Sequence, residues 1–318
     1  MYRRIIAVLF SALLAAGILA FMLIRVWDDL ADALSYLVPV YLVPALAICL
    51  VAWIARGWRY KVILERMDVR ISILFGAACI FLSQTVNLIV PARLGDLIRI
   101  VLLKHERDAT VSQGLSSLVV ERVFDILSVA FLGLCAVIFV LNVPSWIYTI
   151  LVIPVLLGGL FFLVLISTGK LVSENRYIQY ILTMLGEIRD ASLTPKTALI
   201  IAVSSLFIWI LDTLICVAVS VMFRQEIPFA VVLLAVVAGN LIKAVPLTPG
   251  GVGTYEFALA VVFELSGTAP AVAILIAVTD HLIKNVVTLA GGAVSVLYLG
   301  SWVIPELSES VRRRLNED

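Results

Sequence analysis

An all-α, polytopic transmembrane helical bundle is the fold class this sequence predicts, and three observations carry the prediction. Of its 318 residues, 63% are apolar and only 14% charged, against about 45–50% and 25% in a soluble domain. A mean hydropathy of +1.13 is incompatible with a water-facing surface, so a soluble enzyme is excluded. The apolar residues also come in runs near the roughly 20 residues a helix needs to cross about 30 Å of hydrocarbon.

Six runs read as clean spans. Residues 5–24 follow Arg3 and Arg4 as a signal peptide would. The run is too long for a typical h-region and lacks a small-x-small exit, so it reads as a retained helix. The others are about 37–55, 111–141, 146–166, 196–222 and 270–299.

Two more stretches, 71–103 and 228–265, are apolar but broken. The first contains NLIVPARLGDLIR, residues 87–99, and the second NLIKAVPLTPGGVGTYE, residues 240–256. Pro and Gly at mid-membrane free backbone groups that lipid cannot satisfy, so such breaks must lie against protein or line an aqueous cavity. Each stretch is expected to form a helical hairpin, either re-entrant or two spans with a polar break. The expected turn residues are Asn87, Pro91 and Gly95 in the first, and Asn240, Pro249, Gly250, Gly251 and Gly253 in the second.

Lys and Arg set the orientation. Sixteen fall on one expected side, five of them in an expected loop, 56–70, and only Arg25 and Arg224 on the other. Positive-inside then gives a multi-pass protein of the cell membrane with cytoplasmic N- and C-termini. The linker 168–196 reads as an amphipathic surface helix, and 305–318 as a cytoplasmic tail. Trp53, Trp58, Tyr60, Trp146 and Trp302 fit an interfacial aromatic belt.

The broken stretches resemble each other. Both open on Asn-Leu-Ile and then meet Pro and Gly. Downstream, Glu121-Arg122-x-x-Asp125 is mirrored by Asp280-His281-x-x-Lys284. Residues 1–304 therefore read as one transmembrane domain with an inverted repeat, about 37–141 and 196–299. In that architecture broken helices build a site at the bilayer midplane.

Charges at membrane depth cost about 2.5–3.5 kcal/mol each on insertion scales, so those here are expected to face an interior or a cavity. Arg93, Arg99, Arg122, Lys243 and Lys284 are the expected substrate-binding cations. Asp96, Glu121, Asp125, Glu256, Asp280 and His281 form the expected charge network around them. Glu121 and Asp125 share a helix face and need Arg122 or another cation, or a proton. Asp280 and Lys284 have the favourable acid-first order. Arg93 stands where a half-helix begins, a setting that favours anions, and its planar fork suits phosphate. The alternative is that the charges only neutralise one another and tie helices together.

Other chemistry has no signature. The four cysteines lie singly in apolar runs and the two histidines are far apart. No CxxC, HExxH or P-loop occurs, so no metal, no cofactor and no resident ATPase are expected. Nucleic acid is not an expected partner.

NLIVPARLGDLIR, SSLVVERVFDIL and VPLTPGGVGTYE, in this order, resemble the lysylphosphatidylglycerol synthase transmembrane family, also called the flippase-like domain family. The resemblance covers nearly the whole chain. It implies a membrane domain that moves, or helps move, a lipid across the bilayer. It also implies that Arg93, Gly95, Asp96, Glu121, Arg122, Asp125, Pro249, Gly250, Gly251, Gly253 and Glu256 occupy motif positions. Synthases of the family carry a soluble aminoacyl-transferase domain that this sequence lacks, so aminoacylation is not expected. Asp280-His281 replaces an arginine common in the last span.

The expected function is thus a flippase-like transporter of an anionic or glycosylated lipid, a phospholipid or a polyprenyl-phosphate-linked saccharide, and not an enzyme. The alternatives are a polyprenyl-phosphate-dependent membrane glycosyltransferase, and a scaffold for a biosynthetic partner enzyme.

Overall fold

The computed structural model describes residues 2–90, 93–140, 143–168, 171–300 and 302–305. Pro91 and all but the first residue of the expected tail 305–318 lie outside the described residues.

Among the described residues all regular structure is helical. The helices are α1 (Tyr2–Arg25), α2 (Leu30–Ser35), α3 (Leu42–Glu65), α4 (Ile73–Ile89), α5 (Ile98–Arg107), α6 (Val111–Val137), α7 (Ser145–Ser167), α8 (Arg176–Ser192), α9 (Pro195–Met222), α10 (Phe229–Ala244), α11 (Thr254–Leu265) and α12 (Pro270–Leu299). Side chains fix several starts. Ser72 accepts from Phe75 N at 3.1 Å, and Thr110 and Gln113 form a reciprocal capping box at the head of α6.

Among the described residues, four helices are long and apolar enough to cross a membrane: α3 with its leading turn (Pro39–Glu65), α7, α9 and α12. A fifth candidate is the pair Leu9–Arg25 and Trp27–Ser35, bent by 66°. α6 has 27 residues but carries Glu121, Arg122 and Asp125 near its middle, which lowers its apolar character. Among its described residues the chain is therefore all-helical, a membrane protein with four to five candidate spans by length and composition.

Two expectations need correction. The stretch 56–70 is not a loop, because α3 runs on to Glu65. Arg56 and Arg59 stay helical and inside because other helices offer each a carboxylate. Trp53 and Tyr60 are not belt residues, being only 7% and 0% exposed. Trp53 stacks on Phe81, and Tyr60 lies beneath the Arg99 guanidinium.

α3 and α9 pack antiparallel. Val38 N donates to Met222 O at 2.8 Å. Farther along, Arg56 meets Asp212 and Arg59 meets Ser205. α4, which follows α3, and α10, which follows α9, therefore start at opposite ends of the bundle. α10 is buried without a break from Val231 to Gly239, as befits a central helix. α7 turns most of its apolar side chains outward, as lipid contact requires. α8 is amphipathic, as the linker's pattern predicts. It exposes Tyr177, Ile178 and Ile181 and buries Ile188 and Ala191.

Candidate functional site

Both broken stretches form the same succession: a helix, a break, one turn of 3-10 helix, a short helix and then a long one. In the first, α4 ends at Ile89, and Arg93 takes φ 54° and ψ 31°. A left-handed conformation costs a side-chain-bearing residue about 1–2 kcal/mol. The next turn, Leu94–Leu97, is held by Asn87. Its Oδ1 accepts from Gly95 N at 2.8 Å and its Nδ2 donates to Asp96 at 2.9 Å. Ser83 also donates to Asp96, at 2.9 Å. Gly95 is required by contact: a Cβ there would lie 2.2 Å from Ser83 O.

In the second, α10 ends at Ala244 and Pro249–Gly251 forms the turn. Gly250, Gly251 and Gly253 all take positive φ, at 61°, 80° and 84°, which side-chain-bearing residues rarely adopt. Glu256 closes the turn by accepting from Gly253 N at 2.8 Å. Asn240 bonds back to Val236 O within α10, so it does not hold its turn as Asn87 does.

The two breaks meet. Arg93 Nη2 donates to the Lys243 carbonyl at 3.5 Å, and Gly250 sits against Leu88. Where they meet lies a cavity lined from both hairpins and by α3, α6, α9 and α12.

Most of its charges are paired. Arg99 Nη1 donates to Glu121 at 2.8 Å. Arg59 grips Asp125 at 2.5 and 3.1 Å and lies 3.8 Å from Glu121. The cation required by Glu121 and Asp125 is thus not Arg122, which turns to Asp96 at 3.0 Å. Arg56 pairs with Asp212 at 2.9 Å, and Lys284 with Asp280 at 2.9 Å. His281 Nδ1 meets Glu256 at 2.7 Å, and its Nε2 meets Lys243 Nζ at 3.2 Å. Among the described residues, Arg93 and Lys243 are the cavity cations that reach no carboxylate.

The structure thus brings together all the expected cations at one cavity: Arg93, Arg99, Arg122, Lys243 and Lys284. Glu121, Asp125 and His281 line it as well, while Asp96, Glu256 and Asp280 stand behind as partners. Of the turn residues, Asn87, Asn240, Gly250 and Gly251 line it, and Gly95, Pro249 and Gly253 support the bends. Sequence reasoning missed Arg56, Arg59, Trp53, Trp209 and Asp212, which also line it. Asp212 was findable, since a lone carboxylate within an apolar span signals an interior site. Among the described residues no group of three or more His, Cys, Asp or Glu side chains is placed to hold a metal ion.

Comparison with known proteins gives a consistent outcome. The family model described as the lysylphosphatidylglycerol synthase TM region matches residues 5–292. Glycosyltransferase AglD of Haloferax volcanii is 30% identical over 94% of this chain, which covers 56% of that protein's length. A UPF0104 membrane protein of Methanocaldococcus jannaschii is 31% identical over 57% of this chain and 79% of its own. Another, from Methanothermobacter thermautotrophicus, is 22% identical over 89% and 92%. No solved structure matches.

Proposed function

The chain belongs to the lysylphosphatidylglycerol synthase transmembrane family, and on that premise we propose that it is a lipid flippase-like transporter. It carries an anionic or glycosylated headgroup, of a phospholipid or a polyprenyl-phosphate-linked lipid, through the cavity between the two hairpins. One observation carries the reading. Each hairpin brings to the cavity a cation without a carboxylate, Arg93 from the first and Lys243 from the second, and the two breaks touch there. Such cations are costly at membrane depth, and an arriving phosphate compensates both. Arg93 offers a planar two-pronged contact and Lys243 a point charge. The lipid tails stay in the bilayer.

The opposite starting ends of α4 and α10, with the shared order of elements, favour an inverted repeat. The six spans of the whole domain, residues 1–304, are then α1, α3, α6, α7, α9 and α12. The end contacts agree with that parity. Gln113 donates to Met67 O, and His105 stacks on Trp302; these join ends assigned to the cytoplasmic side. The Val38–Met222 and Arg25–Glu264 contacts join ends assigned to the other. Rocking of one hairpin against the other then exposes the cavity to each leaflet in turn.

A second reading, transfer of sugar from a polyprenyl-phosphate donor, is favoured by the name of the Haloferax relative, a glycosyltransferase. Against it, the cavity carboxylates Glu121, Asp125 and Asp212 are each held by an arginine, which leaves none free as a general base. A biosynthetic partner enzyme is the remaining partner class.

The test is reconstitution of the purified protein in liposomes with fluorescent phosphatidylglycerol, phosphatidylcholine and a polyprenyl phosphate. Anionic lipid is expected to change leaflets faster than in protein-free vesicles. Arg93→Ala with Lys243→Ala should abolish the difference. Translocation that persists in the double variant overturns the reading.

A further inference from the structure

Lys243, His281 and Glu256 form a line from the cavity into the second hairpin. Lys243 is in the last turn of α10, His281 is on α12 and Glu256 is in the first turn of α11. The imidazole is 1% exposed. An ammonium group has only donors, so His281 Nε2 accepts from Lys243 at 3.2 Å. Nδ1 then bears the hydrogen and donates to Glu256 Oε1 at 2.7 Å. The other oxygen of Glu256 accepts from Gly253 N in the glycine turn.

The contact between Lys243 and His281 thus accommodates one proton fewer than two cations would hold. Adding a proton to Nε2 puts two positive charges 3.2 Å apart and removes the acceptor on which Lys243 rests. We propose that His281 is a proton-binding site coupled to the lipid site, so that the proton is the second substrate of the transporter. The proposal rests on the transport reading above.

The steps balance. A proton from water binds His281 Nε2, and the imidazolium keeps its Nδ1–H bond to Glu256. Lys243, repelled, swings into the cavity and meets the phosphate beside Arg93. When the phosphate leaves, Lys243 returns, and Nε2 gives its proton back to water. Anion binding and protonation then strengthen each other by the same factor.

The other charged groups around the ring are already engaged. Asp280 and Lys284, also on α12, pair with each other and share the Tyr255 hydroxyl of α11. Asp212 of α9 is held by Arg56 of α3. Arg93 of the first hairpin reaches the Lys243 carbonyl. α1, packed against the turn, has no titratable side chain between residues 9 and 24.

The chain has two histidines, so 15N-histidine NMR of the full protein in nanodiscs reads His281 directly, with His105→Gln assigning the signals. In phosphatidylcholine the neutral Nδ1–H form is expected. With phosphatidylglycerol, whose charge is constant across about pH 5–8 where histidine titrates, the imidazolium should appear. Lys243→Met should let His281 protonate without anionic lipid. Phosphatidylglycerol should also bind up to about tenfold more tightly per unit fall in pH, a dependence that His281→Gln removes. A His281 signal indifferent to phosphatidylglycerol and to Lys243→Met overturns the proposal. If His281 responds but no lipid crosses liposomes, the transport reading fails and proton-linked anion binding stands. If lipid crosses and His281 is silent, the reverse holds.

Discussion

Arg59 clasps Asp125 with both ends of its guanidinium, Nη1 at 2.5 Å and Nη2 at 3.1 Å, and is 1% exposed. The pair joins α3 to α6 in the interior of the bundle. Removing one member of such a pair leaves a buried charge uncompensated and costs about 3–5 kcal/mol, whereas replacing both by apolar groups is often close to neutral. Arg59→Met and Asp125→Leu are each expected to lower stability by that order, and the double variant by much less. Three of the four cysteines, Cys49, Cys79 and Cys216, are buried, so labelling by a thiol-reactive dye during heating reports the unfolding. Equal and additive losses would show that the two residues act separately.

Arg93 combines a strained backbone with an unpaired charge. Its φ of 54° suits glycine, which takes that conformation at no steric cost. Arg93→Gly is therefore expected to raise stability by about 1 kcal/mol while abolishing lipid translocation. Arg93→Lys keeps the charge but loses the planar fork and should restore only part of the activity. Unchanged translocation in Arg93→Gly would separate the strain from function.

Much of the fold and half of the site were legible in the chain. Long apolar runs locate α7, α9 and α12 within a few residues, because lipid imposes both length and composition on a span. The breaks were legible because Pro and Gly cluster there with charged residues amid apolar runs. Arg56 and Arg59 were not. They follow an apolar run and look like interfacial cations, and only their partners on α6 and α9 show otherwise. Pairing across helices is a tertiary fact that no local pattern encodes. For the same reason Arg122 seemed the partner of its own helix neighbours, whereas it faces Asp96 of the first break. Asn240 matches Asn87 in sequence, yet its side chain bonds within its own helix.

The glycine turn of the second hairpin should be intolerant for a backbone reason. Gly253 has φ 84°, and a Cβ there would lie 2.9 Å from Ala15 O of α1. Backbone oxygen cannot yield as a flexible side chain does. Gly253→Ala is expected to cost about 1–3 kcal/mol and to make the turn more accessible to protease. Gly159, in α7 with open space around it, is the control, and Gly159→Ala should be neutral or stabilising by up to about 1 kcal/mol. Equal effects at both sites would exclude the turn as the source.

Movement of the first hairpin against the last helix is open to a direct block. Thr85 of α4 donates to Thr288 O of α12 at 3.1 Å. One turn farther along α12, a Cβ at Gly292 would lie 3.0 Å from Thr85 Cβ, shorter than the roughly 3.5–4.5 Å that a disulfide spans. In a background freed of the four native cysteines, Thr85→Cys with Gly292→Cys should therefore cross-link after a small adjustment of either helix. Packed helices carry two discrete arrangements rather than a continuum, so a bond between α4 and α12 holds the one in which it forms. Oxidation is expected to stop lipid translocation in liposomes and reduction to restore it, while phosphatidylglycerol still binds, because Arg93 and Lys243 are left in place. Translocation at full rate with the cross-link complete would mean that the first hairpin is static against α12. The second hairpin, carrying the glycine turn and the Lys243–His281 contact, would then have to supply the motion alone.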